Sequence, residues 1–349
     1  MHLDMTTDDL DFRDEVRAFL DDKLSEEMRE ATRLTSGVFA EFEIGQRWHK
    51  ALYERGWIAP GWPEEHGGTG WNAMQRYIYD TEANLAGAPR LFSMGLRMVG
   101  PVIMKFGNDE QKAHYLPRIL SAEDVWCQGY SEPGSGSGSD LASLQCRAVA
   151  DGDDYVVNGT KIWTTGAHYA NRMFCLVRTS TEGKPQEGIS FVLIDMDTPG
   201  ISVEPIITIA GDHEVNQVFL DDVRVPQANR IGPENDGWTV AKYLLEFERG
   251  GSTYGSNLAA GLLRLRAIAA AERSGGGCLL DDPDFSARLA EAEVKQQAVQ
   301  FTEQRIMSEI IARGQPGPAS SMMKVLGSET NQLISELAVE AVHYHAAPY

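Results

Sequence analysis

Tyr155-Val156-Val157-Asn158-Gly159-Thr160-Lys161-Ile162-Trp163 decides the fold class of this 349-residue chain. β-Branched and aromatic residues flank Asn158-Gly159, a dipeptide that readily adopts a two-residue type I′ turn. The stretch therefore predicts a β-hairpin. More short strands are expected downstream, at Met173 to Arg178, Ile189 to Ile194, Ile201 to Pro205 and Gln217 to Leu220, separated by Gly, Pro and Asp. Strands of this length and spacing predict a middle antiparallel β-barrel domain over residues 123–233.

On either side the apolar period changes from 2 to 3.6. Upstream, Phe12, Val16, Phe19 and Leu20 fall on one helical face, and Asn108 is a candidate N-cap with Asp109 and Glu110 in the first turn, where the helix dipole favours anions. Loops rich in Gly and Pro interrupt the helices at Gly56 to Pro63 and Gly67 to Gly70. Downstream, Val240, Tyr243, Leu244 and Phe247 make one stripe, and long helices are expected from Phe285 to about Ala312 and from Ser320 to about His345. Long helices with short connections predict a bundle. The expected architecture is multidomain α+β: an N-terminal all-α domain at 1–122, the middle domain at 123–233 and a C-terminal α-helical bundle at 234–349.

The chain carries 31 basic and 51 acidic side chains, a net charge of −20. Nucleic acid and anionic membrane surfaces need a basic face and are poor main partners. An anionic small ligand is compatible, because a few local cations or a helix N-terminus hold phosphates. No apolar run approaches the ~20 residues of a membrane span, and residues 1–14 lack the apolar core of a secretion signal. A soluble, cytoplasmic protein is expected. Cys127, Cys146, Cys175 and Cys278 are widely spaced without a Cys-x-x-Cys, so buried free thiols are expected and no metal site.

Several residues have the chemistry of a site. Trp126 to Gly134 and the Gly/Ser run to Asp140 read either as a linker or as a loop whose N–H groups approach a ligand. Trp163 reads either as core or as a cofactor contact, with Thr164 and Thr165 beside it. With Val240 at 0° on a helical wheel, Glu248 lies at about 80°, bordering the apolar stripe, whereas Glu246 lies at about 240°. A carboxylate at such a rim is either solvated or partly desolvated into a useful base. Among the histidines, His114, His168, His213, His343 and His345, the last two stand about 200° apart on a helix, wrong for one metal. His213 with Glu214 reads as a turn.

Five segments, taken in order, resemble the acyl-CoA dehydrogenase family. They are Phe106-Gly107-Asn108-Asp109-Glu110-Gln111-Lys112 with Leu116-Pro117; Ser131-Glu132-Pro133-Gly134 leading to Ser139-Asp140; Asn158-Gly159-x-Lys161-x-Trp163-x-Thr165; Phe219-Leu220-Asp221-Asp222-Val223-Arg224-Val225-Pro226; and Glu248-Arg249. The resemblance implies FAD, an acyl-CoA substrate, and α,β-dehydrogenation to the trans-2-enoyl-CoA. A carboxylate removes the α proton while a hydride leaves Cβ for the flavin. It assigns Gln128, Tyr130 and Ser131 to the strand beside the flavin, Trp163 to the aromatic packed on it and Thr165 to a hydroxyl at its polar edge. Ser137 and Ser139 compete for a position near the thioester, because the loop before Asp140 is two residues longer than in most members. The family has two base positions, one on this helix and one in a segment near the C-terminus; Glu248 resembles the first and is the candidate base, with Arg249 on the substrate side. Arg273 is the candidate for the pyrophosphate, in place of the family's usual Arg-x-x-Phe-Gly segment.

The resemblance further implies an electron-transfer flavoprotein as acceptor and a homo- or hetero-oligomer, dimer or tetramer. The chain is expected to end at Tyr349 before the family's last helices, by truncation or because a partner supplies them. Two other readings belong to the same scaffold: a half-competent or non-catalytic subunit of a mixed tetramer, and a flavin monooxygenase or oxidase. The residue pair Glu248-Arg249 argues against the second, which usually lacks the base.

Overall fold

The computed structural model describes residues 5–35, 37–134, 138–249, 253–274, 276–313 and 319–346; the side chains of 138, 139, 246–249, 274, 309–313 and 319–321 lie outside the description. Helices come first: α1 (Thr7–Lys23), α2 (Glu26–Leu34), α3 (Phe42–Arg55), α4 (Ala73–Ala86), α5 (Gly100–Phe106) and α6 (Asp109–Leu120). Eight strands follow: β1 (Trp126–Gly129), β2 (Arg147–Asp151), β3 (Asp154–Thr165), β4 (Arg172–Arg178), β5 (Ile189–Asp195), β6 (Ile201–Ile207), β7 (His213–Pro226) and β8 (Arg230–Ile231). The chain then returns to helix in α7 (Gly237–Arg249), α8 (Tyr254–Ala271), α9 (Pro283–Arg313) and α10 (Ala319–Val342), with a ribbon of β9 (Arg273–Ser274) and β10 (Gly277–Cys278) after α8. This is the expected order of helical, sheet and helical domains.

Local signals explain the helix starts. Asn108 Oδ1 accepts the Gln111 N–H at 2.8 Å, and Gln111 Oε1 accepts the Asn108 N–H at 3.0 Å, a reciprocal cap. Thr6 with Asp9, and Asn72 with Gln75, cap α1 and α4 in the same way. Phe12, Val16, Phe19 and Leu20 are the buried residues of α1, as their spacing requires.

Chain contacts separate into two units. One comprises Met1–Arg33, Trp71–Ala88 and Arg249–Tyr349. It is helical, with α1 packed on α4 and α8, α9 and α10 packed on one another around Leu258, Leu265, Leu289, Val299 and Leu337. The other comprises Leu34–Gly70 and Pro89–Glu248 and contains the sheet. Its strand order is β6-β7-β3-β2-β4-β5-β8, with β1 alongside β4. Five pairs are antiparallel, and β4 has two parallel neighbours, β1 and β2. Tyr155, Val157, Met173, Val177, Val192 and Val218 lie in its core.

The hairpin stands in a different place from the one expected. Asn158-Gly159 does not turn; β3 runs through it from Asp154 to Thr165. The reversal lies upstream, where Asp151 pairs with Asp154 around Gly152-Asp153. Asn158 spends its side chain across the sheet instead, donating to Asp222 Oδ1 at 3.0 Å and accepting the Asp222 N–H at 2.9 Å. A register shift sits there, between Val157 and Gly159 on β3, with Asp222 at φ +50° on the partner strand. His213 likewise opens β7 rather than lying in a turn. Three of the four cysteines are buried and all four are free thiols. Among the described residues, no helix is long and apolar enough to cross a membrane.

Candidate active site

The far end of β3 collects the unusual features of the sheet. A second register shift falls between Lys161 and Thr164. At this bulge Trp163 adopts φ +59°, a left-handed conformation costly for a residue with a Cβ. Its side chain is 55% exposed, while Lys161 and Thr164 on either side are buried. An aromatic of this size held strained and exposed is poorly explained by packing.

Ser131 comes to the same place. Ile162 donates its N–H to the Ser131 carbonyl at 2.9 Å, so the segment leaving β1 runs beside the bulge. Gln128, on β1, is half-buried and in register with Phe174 of β4. Tyr130 is buried edge-on to Phe174 and Phe191, with ring centroids 5.9 and 6.4 Å away. Thr165 is half-buried. The Thr164 hydroxyl is buried with no hydrogen-bond partner among the described residues. Gly166 turns the chain away at φ +63°, where a Cβ would meet the Phe92 ring at 2.3 Å.

Beneath the bulge lies an ion pair that sequence reasoning missed. Lys161 is fully buried, its Nζ 2.8 Å from Glu132 Oε1. Burial opposes its charge, and the Glu132 carboxylate beside it favours it. The signal was present in the motif, since Lys161 stands at a position of β3 where alternation points inward.

A second missed group flanks Thr164. Asn216 is fully buried and donates to the Thr164 carbonyl at 2.9 Å. Its Oδ1 sits 2.7 Å from His213 Nε2 and 3.2 Å from His168 Nδ1.

The other expected site residues fare differently. The backbone of Glu248 and Arg249 forms the end of α7, and position 248 follows the buried Leu244 by one turn, but both side chains lie outside the described residues. Ser137 and the Ser139 side chain also lie outside them. Arg273 is exposed in the β9–β10 ribbon, paired in register with Cys278, and belongs to the helical unit.

The geometry thus unites Ser131, Trp163 and Thr165, with Gln128 on the strand leading in. An exposed indole with the hydroxyl-bearing residues Ser131 and Thr165 close by along the backbone can hold a flat ring with a polar edge. Among the described residues no group of three or more metal-ligating side chains gathers.

Comparison with known proteins agrees on the family. Models of the acyl-CoA dehydrogenase N-terminal, middle and C-terminal domains match residues 6–123, 127–223 and 235–343. Over 336 residues the chain is 36% identical to acyl-CoA dehydrogenase IpdE1 of Mycobacterium tuberculosis, covering 95% of this chain and 85% of that protein. The fold is similar to the Tcur3481-Tcur3483 steroid ACAD, with a TM-score of 0.85 and 31% identity over 100% of this chain and 88% of that one. It is also similar to the ChsE4-ChsE5 complex from Mycobacterium tuberculosis, with a TM-score of 0.82 and 33% identity over 100% and 88%.

Proposed function

Because the chain belongs to the acyl-CoA dehydrogenase family, whose members are oxidoreductases acting on CH–CH bonds, we propose that it binds FAD at the bulged end of β3 and dehydrogenates a bulky, ring-bearing acyl-CoA to its 2-enoyl thioester. The observation that carries the cofactor site is Trp163, strained and exposed next to the segment bearing Ser131. The indole face fits the isoalloxazine ring, and Ser131 and Thr165 supply hydroxyls for its polar edge. Gln128 and Tyr130 shape the strand beneath. Bound FAD would supply the two-electron acceptor for the hydrogen leaving Cβ.

The chain's own residues do the rest. Glu248 acts as the base that removes the α proton, and Arg249 and the serines Ser137 and Ser139 serve the substrate side. Arg273 serves the flavin pyrophosphate. An electron-transfer flavoprotein takes the electrons onward. The ring-bearing substrate is supported by the likeness to a protein titled a steroid ACAD, and a second, different chain as partner by the two solved relatives, each titled as a pair of proteins.

One experiment tests this reading. The chain is purified alone and co-expressed with a second acyl-CoA dehydrogenase chain, and flavin content and dye reduction are measured with straight-chain and steroid-ring acyl-CoAs. Bound FAD and preferential turnover of the ring-bearing thioester are expected. Absence of flavin and of turnover in both preparations would overturn it.

A further inference from the structure

The Lys161–Glu132 pair needs a reason beyond stability. Taking both charges out of water costs about as much as their attraction returns, so a buried pair is weak evidence of net stabilisation. Its contacts suggest a mechanical role. Lys161 Nζ donates to Glu132 Oε1 at 2.8 Å, to the Leu176 carbonyl of β4 at 2.8 Å and to the Tyr130 carbonyl at 3.3 Å. Glu132 in turn accepts the Gln145 N–H at 2.6 Å and the Cys146 N–H at 2.9 Å. The residues before and after Ser131 are therefore gripped by one ammonium group, and Ser131 itself is held by the Ile162 N–H. Two residues further along β3 stands Trp163 in its strained conformation, which persists only where the surroundings over-determine it.

We infer that Lys161 and Glu132 are positioning residues: they lock the Ser131 segment against the bulged end of β3 and so fix the spacing between Ser131 and Trp163 in which the cofactor ring is held. This rests on the flavin reading above. The pair touches neither cofactor nor substrate and acts through the two segments it joins.

The test uses the full-length protein and three variants. K161M leaves a buried carboxylate without its cation. K161M/E132Q removes both charges and keeps a side-chain oxygen for one of the Gln145 and Cys146 N–H groups, which meet different oxygens of Glu132. V223A opens a cavity in the same core and serves as a control for simple destabilisation. Four quantities are read: hydrogen exchange at the Ile162 amide without flavin, the FAD Kd, the shape of the visible flavin band, and kcat against KM. For K161M/E132Q we expect faster Ile162 exchange, FAD bound at least about tenfold more weakly, and a changed band shape. We also expect kcat lowered about 100-fold with little change in KM. V223A should keep FAD affinity, band shape and kcat. An unchanged double variant, or a V223A variant that loses FAD equally, overturns the positioning role alone. A wild-type chain that takes up no FAD, alone or co-expressed, overturns the flavin reading itself.

Discussion

The imidazoles of His168 and His213 stack with centroids 3.8 Å apart and planes 21° from parallel, and both meet the side-chain amide of Asn216. Two imidazolium ions cannot share that stack cheaply. Burial first, and then the neighbouring His213, hold the His168 pKa below its usual value.

The sign of the resulting pH dependence follows. The unfolded chain takes up a proton at His168 near pH 6.5, and the folded chain only at lower pH. Below about pH 6.5 the unfolded state binds more protons, so stability falls as pH falls. H168Q is expected to make the acid side of a stability-against-pH curve shallower, measured by urea unfolding between about pH 5 and 7. Some slope should remain, because burial also lowers the pKa of His49.

Glu303 produces a dependence of opposite sign. Its carboxyl caps α8, accepting the Tyr254 N–H at 2.9 Å and the Gly255 N–H at 3.1 Å, yet burial raises its pKa to about 7. Its contribution is fully present below its unfolded pKa and is lost as pH rises through 7. E303Q retains an oxygen for the cap and avoids the buried charge. It should stabilise the protein by about 1–2 kcal/mol at pH 8 and change little at pH 5, read by thermal melts at the two pH values. A destabilised E303Q at pH 8 would mean that the capping charge outweighs its burial.

Trp163 trades backbone strain for function. W163G relieves a left-handed residue and removes a side chain that is mostly in water, so unfolding free energy should stay within about 1 kcal/mol of the parent. FAD affinity should fall about tenfold or more, because the stacking face is gone. Flavin titration and denaturant melts on the same preparation separate the two effects.

For the proposed base, E248Q should leave flavin content intact while turnover of the preferred acyl-CoA drops about 100-fold to 10,000-fold. Rapid-mixing absorbance would show the loss in the flavin reduction step. Near-parental reduction would place the base elsewhere.

Much of the architecture was legible in the order of residues. Phe12, Val16, Phe19 and Leu20 announce their buried face by spacing, and Asn108 with Gln111 announces a helix start by chemistry. The strands at 173–178 and 189–194 differ from their observed bounds by one residue at one end. What failed was Asn158-Gly159, whose local preference for a turn was overridden by the pairing of Asn158 with Asp222 of β7. The site was legible only through motif: Ser131 and Trp163 are far apart in sequence, and their meeting depends on the Ile162 N–H. Two features had no readable precursor: a tryptophan at positive φ, and two histidines meeting at one asparagine. Each contradicts the ordinary preference of its residue type, so composition points the wrong way.

Before α5 the chain winds as a π-helix over Met94–Val99, and the Trp62 indole donates to the Leu96 carbonyl at 2.7 Å. A Cβ on Gly100 would meet that indole at 2.3 Å. Such a wide turn holds a surplus amino acid relative to the tighter spiral that follows. Excising one residue there would restore uniform winding and leave what lies ahead of it close to its present bearing, because the wide turn spends its surplus on girth, not on rotation. A single-codon deletion in this stretch is therefore taken up as a narrowing of one turn, which spares both the preceding loop and the downstream spiral.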